Sequence, residues 1–251
     1  MESKGAALKA WNQLNDQINR AAFWCAVVGL ATTIISFFLP LDVPEGYSAT
    51  VEERVAWLVA HSGTFKLAWI NQIASMIALS GVLAGIAWQV ARTHPLQALL
   101  GGFLVALATM AFFIPKFIAV WTIPMLAESI ATGAVTENMA LGLLPILNVT
   151  VPFSLYTSFD YLGFWLYSLA ALVVTKPLLL QSASIAKTIG VAMGVFGLAY
   201  NAVVVAILMG FVGRAEVGSS ILSAAFILLI PIIASLFLFR TSATQAVADP
   251  S

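Results

Sequence analysis

ALLGGFLVALATMAFFIPKFIAVW, residues 98–121, carries a single charged side chain, Lys116. Coiled as an α-helix at 1.5 Å per residue it is about 36 Å long, more than the roughly 30 Å of hydrocarbon in a bilayer. A stretch this long and this apolar reads as a membrane span. Five more read the same way, at about 21–39, 67–90, 151–174, 188–211 and 221–239. The expected fold class is therefore all-α, a polytopic membrane protein built as a six-helix transmembrane bundle.

Composition points the same way. The chain is 61% hydrophobic and 9% charged, against about 25% charged in an ordinary soluble domain, so lipid has to cover surface that ions cannot. Six spans of about 20 residues use roughly half of the 251 residues and leave only short connections, so 1–251 reads as one transmembrane domain. Lys+Arg and Asp+Glu each total 11, which leaves no basic excess to displace counterions from a phosphate backbone, and nucleic acid is not expected as a partner. The lone Cys25 can complete neither an intrachain disulfide nor a thiolate metal site and reads as a small packing residue.

Residues 1–20, MESKGAALKAWNQLNDQINR, are too long and too acidic for the start of a signal peptide and precede no small-residue cleavage pattern, so the first span is expected to stay in the mature chain. Orientation follows the cations. With the tails 1–20 and 241–251 in the cytoplasm, Lys4, Lys9, Arg20, Arg92, Lys176, Lys187 and Arg240 lie inside, while Arg54, Lys66, Lys116 and Arg214 lie on or near the outside. That distribution favours both termini in the cytoplasm, and the expected location is a cell membrane crossed several times, a bacterial inner membrane.

The two long connections then fall outside. In the first, Thr50 and Glu53 have the spacing of a capping box, Val51, Val55, Leu58 and Val59 recur at helical intervals, and Gly63 offers a stop. A short amphipathic helix lying on the membrane surface is expected after span one. In the second, 139–147 is apolar enough to enter the interface or cover the bundle, and the acceptor pattern Asn148, Val149, Thr150 is short enough to arise by chance. Spans one and two, then three and four, form hairpins with long outer connections, which hints at a duplicated unit although the residues do not align.

The stretch from Ala49 to Val90, an outer amphipathic segment running through TFKLAWINQIASMIALSGVLAGI, and the later IAKTIGVAMGVFGLAYN at 185–201 together resemble a broad bacterial family of six-span integral membrane proteins filed as a domain of unknown function. The resemblance covers about half of the chain and rests on small and apolar residues. It implies the six-helix architecture and carries no activity or site residue with it.

Chemistry has to be sought among polar groups inside the spans, because each ionised one costs about 2.5 to 3.5 kcal/mol to insert. Asp160 stands out, flanked by Phe159, Tyr161, Phe164 and Trp165. It is either an intramembrane carboxylate or, if span four starts near Tyr161, an interfacial helix N-cap. Lys116 follows Pro115 on the same outer side and either pairs with Asp160 or extends its amine to the headgroups. Asn71 and Gln72 in span two and Asn201 in span five either tie helices together or join Asp160, Lys116 and Tyr161 around one pocket that opens outward. Gly81 with Gly85, Ala98 with Gly102 and Ala106, and Gly190 with Gly194 lie four apart on helix faces and permit close packing, within the bundle or between copies. Trp69, Trp88, Trp121 and Tyr156 lie near span ends, where aromatic belts form.

His61 and His94 fall on opposite sides of the membrane and cannot jointly hold a metal or haem, no glycine-rich phosphate loop or serine elbow occurs, and the last two spans lack the lysine a retinal would need. No cofactor is expected, and nothing pairs a nucleophile with a base as an enzyme would require. The leading expectation is a lipid-embedded bundle that binds a small or lipid-like molecule, or a partner subunit, in an outward-opening polar pocket walled by spans two to five. There Asp160 anchors the ligand, Lys116 is its counter-ion, and Asn71, Gln72, Asn201 and Tyr161 supply hydrogen bonds. A secondary transporter or proton-coupled carrier, and an accessory or scaffold subunit in a homo-oligomer or larger membrane complex, are the alternatives.

Overall fold

The computed structural model describes residues 2–134, 137–151 and 153–248, and all regular structure among them is helical. Among the described residues nine α-helices follow in order: α1 (Glu2–Ser36), α2 (Val51–Ala60), α3 (Ser62–Trp88), α4 (Pro95–Ala131), α5 (Glu137–Leu147), α6 (Leu155–Leu179), α7 (Ser184–Leu208), α8 (Val217–Phe226) and α9 (Leu229–Ala248). Six segments are long and apolar enough to cross a membrane: most of α1, then α3, α4, α6, α7, and the α8–α9 pair. Most apolar side chains at their outward faces, among them Leu99, Phe103, Met110, Phe117 and Leu208, are exposed because lipid is their solvent.

Adjacent spans pack in the sequence α1 with α3, α3 with α4, α4 with α6 and α6 with α7, and α9 closes the bundle between α7 and α1. The main core is continuous across these helices and includes Phe112, Tyr167, Phe196, Tyr200 and Phe239. Two of the small-residue pairs do their work inside the bundle. A Cβ on Gly81 would stand 2.3 Å from Cys25 Sγ, and one on Gly85 would stand 2.4 Å from the Ala22 Cβ, so only glycine lets α3 lie this close to α1. Gly190 and Gly194 face Leu178 and Thr175 of α6 in the same manner. The Ala98, Gly102, Ala106 stripe differs, since nothing lies within 4 Å of a Cβ on Gly102.

Several boundaries depart from the expected ones. Residues 2–20 are no loose tail but the first turns of α1, whose Trp11 stacks on Trp88 at 5.0 Å between ring centroids. Asn15 accepts a bond of 3.2 Å from Trp88 Nε1, and Asn19 one of 2.7 Å from Gln89 Nε2. Gly63 does not stop a helix; it lies in the first turn of α3, directly after α2. Span four runs past its expected end at 174, because α6 continues to Leu179 with Pro177 inside it. Trp69 and Tyr156 are not interfacial: each is 2% exposed. The last span is broken in its interior. Pro231 has no N–H for the Ile227 carbonyl, which accepts instead from Ile230 N at 3.2 Å, and tight bonds from Ile227 and Leu228 to Ala224 and Ala225 separate α8 from α9.

One end of the bundle carries a cap. α2 starts with the expected capping box, Thr50 accepting from Glu53 N at 3.2 Å and Glu53 accepting from Thr50 N at 2.8 Å. Its Val55 and Leu58 are buried, and Leu58 joins Phe65, Trp69, Ala119, Ile123, Ala127 and Tyr156 in a second core beneath the cap. α5 covers the same end and buries Leu144.

Candidate functional site

α6 is the element on which the polar groups converge. Ser154 is its N-cap and accepts from Thr157 N at 3.1 Å, so the helix begins before Asp160 and the N-cap reading of that carboxylate falls away. Asp160 lies about 9 Å along the axis from that cap at 1.5 Å per residue. It accepts a 2.8 Å bond from Lys116 Nζ of α4. Lys116 is only 4% exposed, so its amine does not reach outward to headgroups. Its Nζ also stands 4.9 Å from the Phe112 ring centroid and 5.8 Å from that of Tyr156, placing the cation against two aromatic faces.

The amides expected to share a pocket with this pair are elsewhere. Asn71 Nδ2 donates to Thr32 O at 3.0 Å and to Ser36 Oγ at 2.9 Å, and Gln72 Nε2 donates to the same Ser36 Oγ at 2.9 Å. These bonds lace α3 to α1, on the far side of α3 from α6. Asn201 of α7 accepts from Trp165 Nε1 at 3.0 Å and donates to Ser168 Oγ at 3.0 Å and Gly197 O at 2.8 Å, which laces α7 to α6. The singled-out residues thus fall into separate knots: Lys116 bonds Asp160, Asn71 and Gln72 share Ser36, and Asn201 bonds Trp165 and Ser168.

Two further knots gave no periodic signal in the sequence. In the cap, Arg54 Nη1 donates to both oxygens of Asp42, at 2.6 and 2.5 Å, and Nη2 donates to Gly46 O at 2.6 Å. Thr150 Oγ1 adds a 2.9 Å bond to Asp42, so the two long connections are joined at one carboxylate. Deeper, Ser80 Oγ and Tyr167 Oη are 2.6 Å apart and Thr109 Oγ1 is 2.7 Å from Ser80 Oγ, joining α3, α4 and α6. Neither knot has a sequence motif, because its members come from distant positions and each alone resembles an ordinary loop or packing residue.

Tyr161 points the other way from Asp160. Its side chain lines a crevice of about 610 Å³ between α6, α7 and α8, with Val204, Ile207 and Ile221 as apolar walls and Ser158 and Arg214 as the polar contribution. The Tyr161 hydroxyl lies at 3.9 Å from where a Cβ on Gly218 would stand, so it sits at the start of α8 near Arg214. Its carbonyl accepts from Tyr200 Oη at 2.9 Å, which fixes the wall of the crevice to α7. Among the described residues, no three His, Cys, Asp or Glu side chains gather as a metal site would require. No family model matches the chain, and no curated protein or solved structure is significantly similar to it.

Proposed function

We propose that this protein binds a lipid-like amphiphile with an anionic head in the crevice between α6, α7 and α8, from within the membrane. The observation that carries the reading is the crevice itself: about 610 Å³, within the roughly 300 to 1,000 Å³ of small-molecule sites, apolar along its length and polar at the cap end. Among the described residues Arg214 is the one cation lining it, with the Ser158 and Tyr161 hydroxyls as hydrogen-bonding groups. An acyl chain lying against Val204, Ile207 and Ile221 would exchange one apolar solvent for another, so selectivity would come from the head. In this reading Asp160, Lys116, Asn71, Gln72 and Asn201 hold the helices that form the walls and do not touch the ligand. The orientation that goes with it has both termini in the cytoplasm of a bacterium and the cap outside.

The test is retention of an anionic lipid, phosphatidylglycerol, by the full chain in mixed micelles, measured by native mass spectrometry. Wild type should keep the lipid in preference to phosphatidylcholine. Arg214→Gln should lose the preference, and Ile221→Trp, which fills the crevice, should lose retention altogether. Equal retention by all three would remove the crevice as the site.

A proton-coupled carrier is the second reading, favoured by the Lys116–Asp160 pair and by the interruption of the last span, since broken helices line the sites of many transporters. It predicts flux driven by a pH gradient in proteoliposomes that Asp160→Asn abolishes.

A further inference from the structure

Beneath the cap, two polar atoms have no protein partner although both are buried: the indole Nε1 of Trp69 on α3 and the hydroxyl of Tyr156 on α6. Folded proteins rarely leave such groups unpaired. Their rings pack edge to face with centroids 5.1 Å apart. Both side chains line one cavity of about 10 Å³, together with Asp42, Arg54 and Asn148 of the cap. About 10 to 15 Å³ is the smallest space that admits a single water molecule, and a water needs two to four polar partners to stay there.

From this geometry we propose that the cavity is a binding site for one ordered water molecule, which accepts from the Trp69 N–H and exchanges a hydrogen bond with the Tyr156 hydroxyl. An apolar guest would leave both groups unpaired and would not fit the volume. A metal cation is disfavoured by the Arg54 guanidinium, which lines the same space and already occupies the Asp42 carboxylate. The water would sit between the two buried ion pairs. Arg54–Asp42 is on its cap side, and on the other side the Tyr156 ring lies against the amine of Lys116. It would thereby join α3 to α6 beneath the cap, through a bond that Trp69 and Tyr156 do not make with each other.

The experiment is a structure of the full chain in lipid nanodiscs at a resolution that shows ordered water. A density peak within hydrogen-bond reach, about 3.2 Å, of both Trp69 Nε1 and Tyr156 Oη is the expected result. A direct bond between those two atoms, or a space without density where waters elsewhere in the bundle are visible, overturns the proposal. An ultraviolet Raman difference spectrum, wild type minus Trp69→Phe, isolates this indole from the other six of seven tryptophans. The N–H marker should sit at its hydrogen-bonded position. A marker at the free indole position would be equally fatal.

Discussion

The two flanks of α6 are made from similar residues and finished in opposite ways. Toward α4 and the cap, Asp160 bonds Lys116, Ser80 bonds both Tyr167 and Thr109, and the Phe112 ring packs against Tyr167 and under the Lys116 amine. Toward α8, Tyr161 and Ser158 border a cavity, and Arg214 stays exposed. The difference lies in the neighbouring helix. α4 is one continuous helix of 37 residues that packs along α6, whereas the last span is interrupted and its first half, α8, packs chiefly on α7. A closed flank supplies stability and an open one supplies room, and substitutions on each side should separate the two.

The largest effect should come from breaking the ion pair by one partner. Lys116→Met leaves the Asp160 carboxylate without its cation, and losing one member of a buried pair costs about 3 to 5 kcal/mol. The carboxylate keeps 22% of its side-chain surface accessible, so the lower end is expected. Adding Asp160→Asn should recover most of the loss, because the pair as a whole repays little more than its own desolvation. Equilibrium unfolding in mixed micelles measures both. A loss below about 1 kcal/mol would match an exposed pair and would mean that the closed flank is open to water.

Next in size is a steric test of the same contrast. A Cβ on Gly163 would stand 2.6 Å from two atoms of the Phe112 ring, and that ring is already hemmed in by Phe164 and Tyr167 at 5.0 and 5.3 Å between centroids. Gly163→Ala should therefore cost about 1 to 3 kcal/mol through overpacking. On the open flank, Val204→Phe adds far more volume yet projects into the crevice and should stay within about 0.5 kcal/mol of wild type. Unfolding curves that rank the two the other way would refute the assignment of flanks.

The six spans and the capping box of α2 were legible because they depend on local pattern: an apolar run long enough for lipid, and Thr50 three residues before Glu53. The Lys116–Asp160 contact was legible for a related reason, since an isolated charge in hydrocarbon needs a partner and each was the other's nearest option in depth. What sequence could not supply was direction around a helix. Asn71 and Gln72 lie at a suitable depth but face α1, and Asn201 is used up by Trp165, Ser168 and Gly197. Arg54–Asp42 escaped notice because charges in a polar connection look solvated until the fold buries them, and Arg54 is 6% exposed. The interruption in the last span also needed coordinates, because Pro231 inside an apolar run is compatible with a kink, a break or neither.

A milder change on the closed flank is Tyr167→Phe. It removes one hydroxyl from the Ser80–Thr109 knot while Ser80 and Thr109 keep the carbonyls of Met76 and Val105 as acceptors. Interhelical hydrogen bonds in membranes average about 0.6 kcal/mol, and a loss of that order is expected. Arg214→Gln, on the open flank, should leave the unfolding midpoint where it is, since the side chain is exposed and lies in the short turn before α8 rather than in a packed helix. Its effect should appear only when phosphatidylglycerol is added. Wild type should gain thermal stability with lipid concentration, as any ligand bound by the folded state alone requires, and the variant should gain less. A variant that is destabilised without lipid, yet responds to lipid as wild type does, would make Arg214 a structural residue and would put the open flank in the same class as the closed one.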